Sequence, residues 1–266
     1  MISREMLRDI SKKTSLHLYQ QEKDYLIKLF LFNYFRRYDS AVFKGGTCLR
    51  YLYGTERFSE DIDLNLTIHP KQFKKEVEKI LKEFENVGVE NGFIKEEVFE
   101  EAYTCEIWFH GPLYEGTNQT QNKFRLDAGE RGGTLLEPRW ILIDSEYPET
   151  RKKFLVQSMD EDELLAEKII TLLTRSKGRD LYDVWYLLMS DMEVSAELFE
   201  EKLESLLEEY GIQDDFSWDS YPSKDEYIED MERLVPKVVP YSQVISEVKS
   251  QVEDLRELIS SDFPDV

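Results

Sequence analysis

The six residues Asp61-Ile62-Asp63-Leu64-Asn65-Leu66 alternate a carboxylate or amide with an aliphatic side chain, and no other stretch constrains the chain as strongly. A period of two belongs to a β-strand with one buried face. Ile62, Leu64 and Leu66 are expected to enter a core, while Asp61 and Asp63 project together from the opposite face, about 6.5 to 7 Å apart. Two like charges held there repel unless water bathes the face or a divalent cation sits between them. Aspartate oxygens suit Mg²⁺ or Mn²⁺, and Mg²⁺ commonly takes one or two carboxylates together with nucleotide phosphates.

Just upstream, Gly45-Gly46-Thr47 separates the apolar run Ala41 to Phe43 from Leu49 to Tyr53, which reads as the first turns of a helix. Two glycines let a ligand approach the backbone, and the N–H groups of the following helix and the Thr47 hydroxyl can point at an anion. Alone, a glycine pair also fits an ordinary turn. Gly45-Gly46-Thr47, then 13 residues, then Asp61-Ile62-Asp63 resembles the signature of the nucleotidyltransferase (polymerase-β-like) superfamily. The longer string KGGTCLRYLYGTERFSEDIDLNL is similar to the AbiEii/AbiGii toxin family of that superfamily. Lys44, Gly45, Gly46, Thr47, Leu49, Arg57, Phe58, Ser59, Asp61, Ile62, Asp63 and Leu64 carry the match.

The chain has 266 residues, enough for one large or two small domains. With 41% apolar and 13% aromatic residues, and only 8 Pro and 12 Gly, it has a core to bury and is not a low-complexity protein. No uncharged stretch approaches the ~18 residues of a membrane span, and the N-terminus lacks the apolar run of a secretory signal, so a cytoplasmic protein is expected. Cys48 and Cys105 give neither a disulfide framework nor a metal spacing, and Cys48 reads as a small buried thiol. A net charge of −21 argues at first sight against a nucleic-acid substrate. The charge is uneven, however: residues 191–266 hold 22 acidic and 6 basic side chains, against 33 and 28 in residues 1–190. The acidic end would repel polyanions and attract a basic protein, or simply be a solvated helical surface.

Residues 3–16 and 20–37 read as helices, the second with Tyr25, Leu26, Leu29, Phe30 and Phe32 on a broad apolar face. Pro70 can open a helix whose apolar positions Phe73, Val77, Ile80, Leu81 and Phe84 recur at helical spacing. Lys71, Lys74, Lys75, Lys79 and Lys82 fill its other faces, as a wet surface or as an RNA-backbone contact. From about Phe93 to Ile143 the pattern is of strands: Tyr103 to Phe109, Lys123 to Ala128 and Trp140 to Ile143. In the second of these Asp127 falls on the polar side with Arg125, which makes it the candidate third carboxylate of a metal site. Residues 158–190 read as two helices broken near Lys177-Gly178, with Asp160 and Glu163 as a helix-start pair. Lys168 shares a face with Leu164, Leu165 and Leu172, so it needs an anion; Asp180 and Asp183 lie one turn apart on the second helix. Beyond Asp191 the chain reads as acidic helices with loops near Asp214 to Lys224 and around Pro236 to Pro240.

The resemblance, which covers roughly Gln21 to Met189, implies an α/β (α+β) fold: a short mixed sheet flanked by helices, with a helical C-terminal region. The core would span 1–157, and 158–266 would complete the active site through 158–190 and end in the acidic part, 191–266. By the same resemblance Asp61, Asp63 and Asp127 would bind Mg²⁺ or Mn²⁺, while Lys44, Gly45, Gly46, Thr47 and Ser59 would hold the triphosphate of an NTP. Arg57, Lys168 and Arg179 would neutralise its charge, and Asp180 would orient Lys168 or the acceptor. The implied reaction moves NMP from NTP to an acceptor hydroxyl, on RNA such as a tRNA end, in the toxin of a toxin–antitoxin or phage-defence pair; the acidic charge of 191–266 would suit a basic protein as the antitoxin. Two other readings stay open: a phosphotransferase acting on a protein hydroxyl, and a nucleotide-binding module without turnover.

Overall fold

The computed structural model describes residues 1–130, 133–190, 192–210 and 216–262. Two compact units share the chain. The first takes Met1–Leu52, Glu60–Gly133 and Pro138–Ser158; the second takes Tyr53–Ser59, Thr134–Glu137 and Met159–Val266.

The first unit is built on a mixed sheet. Its elements run α1 (Arg4–Thr14), α2 (Leu18–Phe35), β1 (Ala41–Lys44), the short α3 (Gly45–Cys48) continued by a π-helical turn, β2 (Ile62–Leu66), α4 (Pro70–Asn86), β3 (Glu90–Val98), β4 (Ala102–His110), β5 (Asn122–Gly129), β6 (Arg139–Asp144) and β7 (Lys153–Ser158). The sheet has 7 strands in the order β3-β4-β5-β2-β1-β7-β6. β2 runs parallel to β5 and β1 to β7, and the other neighbours are antiparallel. This is the mixed sheet flanked by helices that the resemblance implied.

α2 and α4 cover one face of the sheet. Phe30 and Phe32 of α2 meet Phe124 and Phe154 edge-on, with ring centres 5.9 and 5.7 Å apart, and Phe73 and Phe84 of α4 meet Tyr103 and Phe109. Ile62, Leu64 and Leu66 are buried on that face, as the alternation requires. Pro70 does open α4, whose lysine-bearing faces are largely exposed.

α2 differs from the single apolar face expected of it, because every residue from Gln21 to Phe35 is buried. Its polar side chains are therefore paired rather than wet. Glu22 accepts from the Leu113 N–H at 2.6 Å and from Asn122 Nδ2 at 2.8 Å. Asp24 accepts from Arg50 Nη1 at 2.8 Å and from the Tyr147 hydroxyl at 2.7 Å, and Lys28 pairs with Glu146 at 2.9 Å. Burial pushes the Asp24 carboxyl up, but Lys28 and Arg50 outweigh it and hold the group below its ordinary value. Since Arg50 lies just after α3, this pair fastens the turn that follows the two glycines to the central helix.

The second unit is helical: α5 (Glu161–Arg175), α6 (Gly178–Leu188), α7 (Ala196–Tyr210), α8 (Lys224–Met231) and α9 (Tyr241–Asp262). Asp160 caps α5 by accepting from the Asp162 N–H at 3.1 Å. Its expected partner, Glu163, does not reach back. It is fully buried and takes the N–H groups of Leu135 and Leu136 at 2.9 and 3.0 Å and the Lys202 ammonium at 2.7 Å. Leu181, Val184 and Leu187 bury one side of α6. The segment around Pro236 to Pro240 is a loop; in the loop expected near Asp214 to Lys224, Asp214 and Asp215 lie outside the described residues, and residues 216–223 are irregular. Among the described residues no helix is long and apolar enough to cross a membrane, and both cysteines are buried and outside any disulfide.

Candidate active site

Strand register brings the two halves of the sequence signature together. Lys44 of β1 stands opposite Asp63 of β2, Asp63 stands opposite Asp127 of β5, and Asp127 stands opposite Thr104 of β4. Directly paired residues share a side of the sheet. The four therefore form one row across four strands, on the face turned away from α2 and α4. Asp61 precedes β2 by one residue and opens to solvent.

The glycine turn presses on this row. Gly45 has φ +77°, and a Cβ placed on it would stand 2.1 Å from Asp63 Oδ2 and 2.7 Å from Asp63 Cγ. Only a residue without a side chain fits where that carboxylate lies. Thr47, fully buried, donates its hydroxyl to the Asp61 carbonyl at 2.5 Å, so here it joins the turn to the aspartate strand rather than facing an open anion site. α3 begins at Gly45 itself, and the expected helical segment Leu49 to Tyr53 is wound as a π-turn.

The charges of the row are unevenly matched. Arg125, two residues before Asp127 on the same side of β5, grips both carboxylate oxygens, Nε to Oδ2 at 2.7 Å and Nη2 to Oδ1 at 2.9 Å. Burial of its surroundings pushes the Asp61 carboxyl up, Glu60 and Asp127 push the same way, and Lys23 and Arg125 pull it down less. A carboxyl raised above its unfolded value of 3.8 penalises the folded state above the folded value, and the penalty disappears below 3.8. Asp61→Asn is thus expected to raise the melting temperature slightly at pH 7, because water screens so exposed a group, and to lose that advantage below pH 3.8. Thermal scans of both proteins across that range check it; a variant less stable than the wild type at pH 7 would contradict it.

Among the described residues no three His, Cys, Asp or Glu side chains converge closely enough to hold a metal ion by themselves. Asp63 and Asp127 are nonetheless adjacent oxygen donors on one open face, and an all-protein cage is not what Mg²⁺ needs when substrate phosphates share its coordination.

The second unit holds a separate charged cluster. Arg57 grips Asp183 through Nε at 2.7 Å and Nη2 at 2.8 Å, and Lys168 Nζ meets the same carboxylate at 2.8 Å. Asp183 is fully buried, and Arg57 and Lys168 nearly so. Burial raises the Asp183 carboxyl, but Lys168 and Arg57 together hold it below its ordinary value. Two cations on one carboxylate leave one positive charge in excess. Lys168 thus meets Asp183 and not Asp180, which is buried against Arg175 at 2.7 and 2.9 Å. Arg179 is exposed on the first turn of α6, and Ser59 is half-buried. Sequence reasoning placed Asp183 on the right helix and offered it, with Asp180, as a partner for Lys168, but gave it no link to Arg57. Its link to Arg57 spans 126 residues, and no local pattern signals it.

The chain belongs to the nucleotidyl transferase AbiEii toxin family of type IV toxin–antitoxin systems, whose model matches residues 30–257. Its fold is similar to that of MenT4, the nucleotidyltransferase toxin Rv2826c from Mycobacterium tuberculosis H37Rv, with a TM-score of 0.65 and 16% identity over 97% of this chain and 91% of that one. Two structures from Helicobacter pylori, the second of them JHP933, superpose with TM-scores of 0.55 and 0.52. Both are 17% identical, covering 92% and 98% of this chain and 98% and 96% of theirs. No curated protein matches the sequence.

Proposed function

We propose that the protein transfers NMP from an NTP to an acceptor hydroxyl on RNA, with Mg²⁺ or Mn²⁺ held by Asp61, Asp63 and Asp127, as the toxin of a pair whose antitoxin is a basic protein. The observation that carries this reading is the row Lys44–Asp63–Asp127 with Gly45 packed against the Asp63 carboxylate. When bound, the divalent cation supplies charge stabilisation at the transferred phosphoryl group and eases deprotonation of the attacking hydroxyl. Asp63 and Asp127 would hold it from adjacent strands, substrate phosphates would supply further oxygens, and Asp61 would join from the strand entrance. Gly45 and Gly46 would bring backbone close to the triphosphate beside Lys44, with Thr47 bracing that turn through its bond to the Asp61 carbonyl; the resemblance adds Ser59. Arg57, Lys168 and Arg179 balance phosphate charge, for which the excess cation on Asp183 is suited. The acidic residues 191–266 would meet a basic antitoxin, an attraction weakened by salt.

Incubating the protein with Mg²⁺, each labelled NTP and total RNA tests the reading. Label in RNA with pyrophosphate release is expected, and Asp63→Asn and Asp127→Asn should each abolish it while staying folded. Activity within about threefold of wild type in either variant would sink the site. Label on protein with nucleoside diphosphate release would assign a phosphotransferase instead.

A further inference from the structure

Arg125 is placed to do more than pair with Asp127. It is 58% exposed, yet both of its hydrogen bonds go to the one carboxylate of the row that Asp63 faces directly. A second seat lies within reach. Glu106 of β4 stands directly opposite Arg125 in the strand register, on the same side of the sheet, where it now pairs with Lys123 at 2.6 Å. Neighbours in such a pair have Cβ atoms about 4.5 to 5.5 Å apart, well inside the span of an arginine. The Glu106 carboxylate is part-exposed and has acceptor sites for two cations.

We propose that Arg125 is the resting counter-cation of the aspartate row, seated on Asp127 when no divalent cation is bound and moving to Glu106 when one is. The inference rests on the reading of Asp127 as a metal-holding residue. Arg125 is then a positioning residue: it keeps the Asp127 side chain in place and lets the row exist without unbalanced charge. It also sets a threshold, since a divalent cation must displace a bidentate, charge-assisted pair to use both Asp127 oxygens. Exposed pairs of this kind are weak, so the threshold is modest and the exchange is fast.

The test measures Mn²⁺ binding by the spin-resonance signal of free Mn²⁺, with a non-hydrolysable NTP analogue at fixed concentration and the same analogue without protein as reference, so that turnover plays no part. Arg125→Gln is expected to tighten Mn²⁺ binding by about five- to tenfold with little change in melting temperature, because the competing cation is gone. Glu106→Gln is expected to weaken it by about twofold, because the displaced guanidinium has lost its second seat. Arg125→Lys, which keeps the charge and loses the fork, should fall between wild type and Arg125→Gln. Asp127→Asn separates the two levels of the argument. If it leaves Mn²⁺ binding unchanged, Asp127 is no metal ligand and the site reading fails with the inference. If it abolishes binding while Arg125→Gln binds no tighter than wild type, the site stands and the role given to Arg125 is overturned.

Discussion

Asp183→Asn is expected to destabilise the protein by about 3 to 5 kcal/mol, because it leaves two buried cations facing a neutral amide. Arg57 and Lys168 meet that carboxylate at 2.7 to 2.8 Å, and all three groups are buried. The sign with pH follows from the direction of the shift. Asp183 is held below its ordinary 3.8, so its ionisation contributes stability that is fully present above 3.8 and is lost as pH falls through the lower folded value. Wild type and Asp183→Asn should therefore converge in stability only at the acid end. Lys168→Met is expected to behave differently. Asp183 keeps its bidentate Arg57 and the pair becomes neutral overall, so the loss of stability should be less than half that of Asp183→Asn, while NTP affinity falls with the missing positive charge. Urea unfolding of the apo proteins and NTP titrations, run side by side, separate the two roles. A large stability loss in Lys168→Met with unchanged NTP affinity would show Lys168 to be purely structural.

What could be read in advance followed how local each interaction is. The alternation of Asp61 to Leu66 foretold a strand with its core face, since period two is a property of six neighbouring residues. The strand carrying Asp127 was legible for the same reason, and pairing with β2 then set Asp127 beside Asp63. α2 was legible as a helix but not as a helix buried all round, because Lys23, Asp24 and Lys28 look solvated until Glu60, Arg50, Tyr147 and Glu146 arrive from far along the chain. β3 was only partly foreseen. Its sequence ENGFIKEEV is mostly polar, and it holds its place at the sheet edge through β4 rather than through an apolar stripe. Glu163 was misjudged as a cap partner because its spacing from Asp160 fits a helix start, whereas burial against Lys202 decided its orientation. Long-range ion pairing is where one sequence is least informative, and the clusters around Asp24 and Asp183 are both of that kind.

Gly45→Ala is the substitution that tests whether the glycine turn and the aspartate strand form one rigid platform. Alanine must first adopt φ +77°, a left-handed conformation that costs about 1 kcal/mol or more in a residue with a Cβ. It must then clear Asp63, whose Oδ2, Cγ and Cβ would lie 2.1, 2.7 and 2.8 Å from the new methyl group. Asp63 has little freedom to retreat, because β2 is paired on both sides, by β1 and by β5. A combined loss of about 3 to 5 kcal/mol is expected, together with loss of transfer activity in whatever fraction folds. Gly88→Ala isolates the backbone component: Gly88 has φ +75° and nothing within 4 Å of its Cβ position, so it should lose only about 1 kcal/mol. Asp63→Ala combined with Gly45→Ala removes the oxygen and Cγ contacts and leaves the Cβ contact, so the pair should recover part of the stability but none of the activity. If urea unfolding finds Gly45→Ala no worse than Gly88→Ala, Asp63 moves aside freely, and the turn does not hold the carboxylate in the position from which the site is argued.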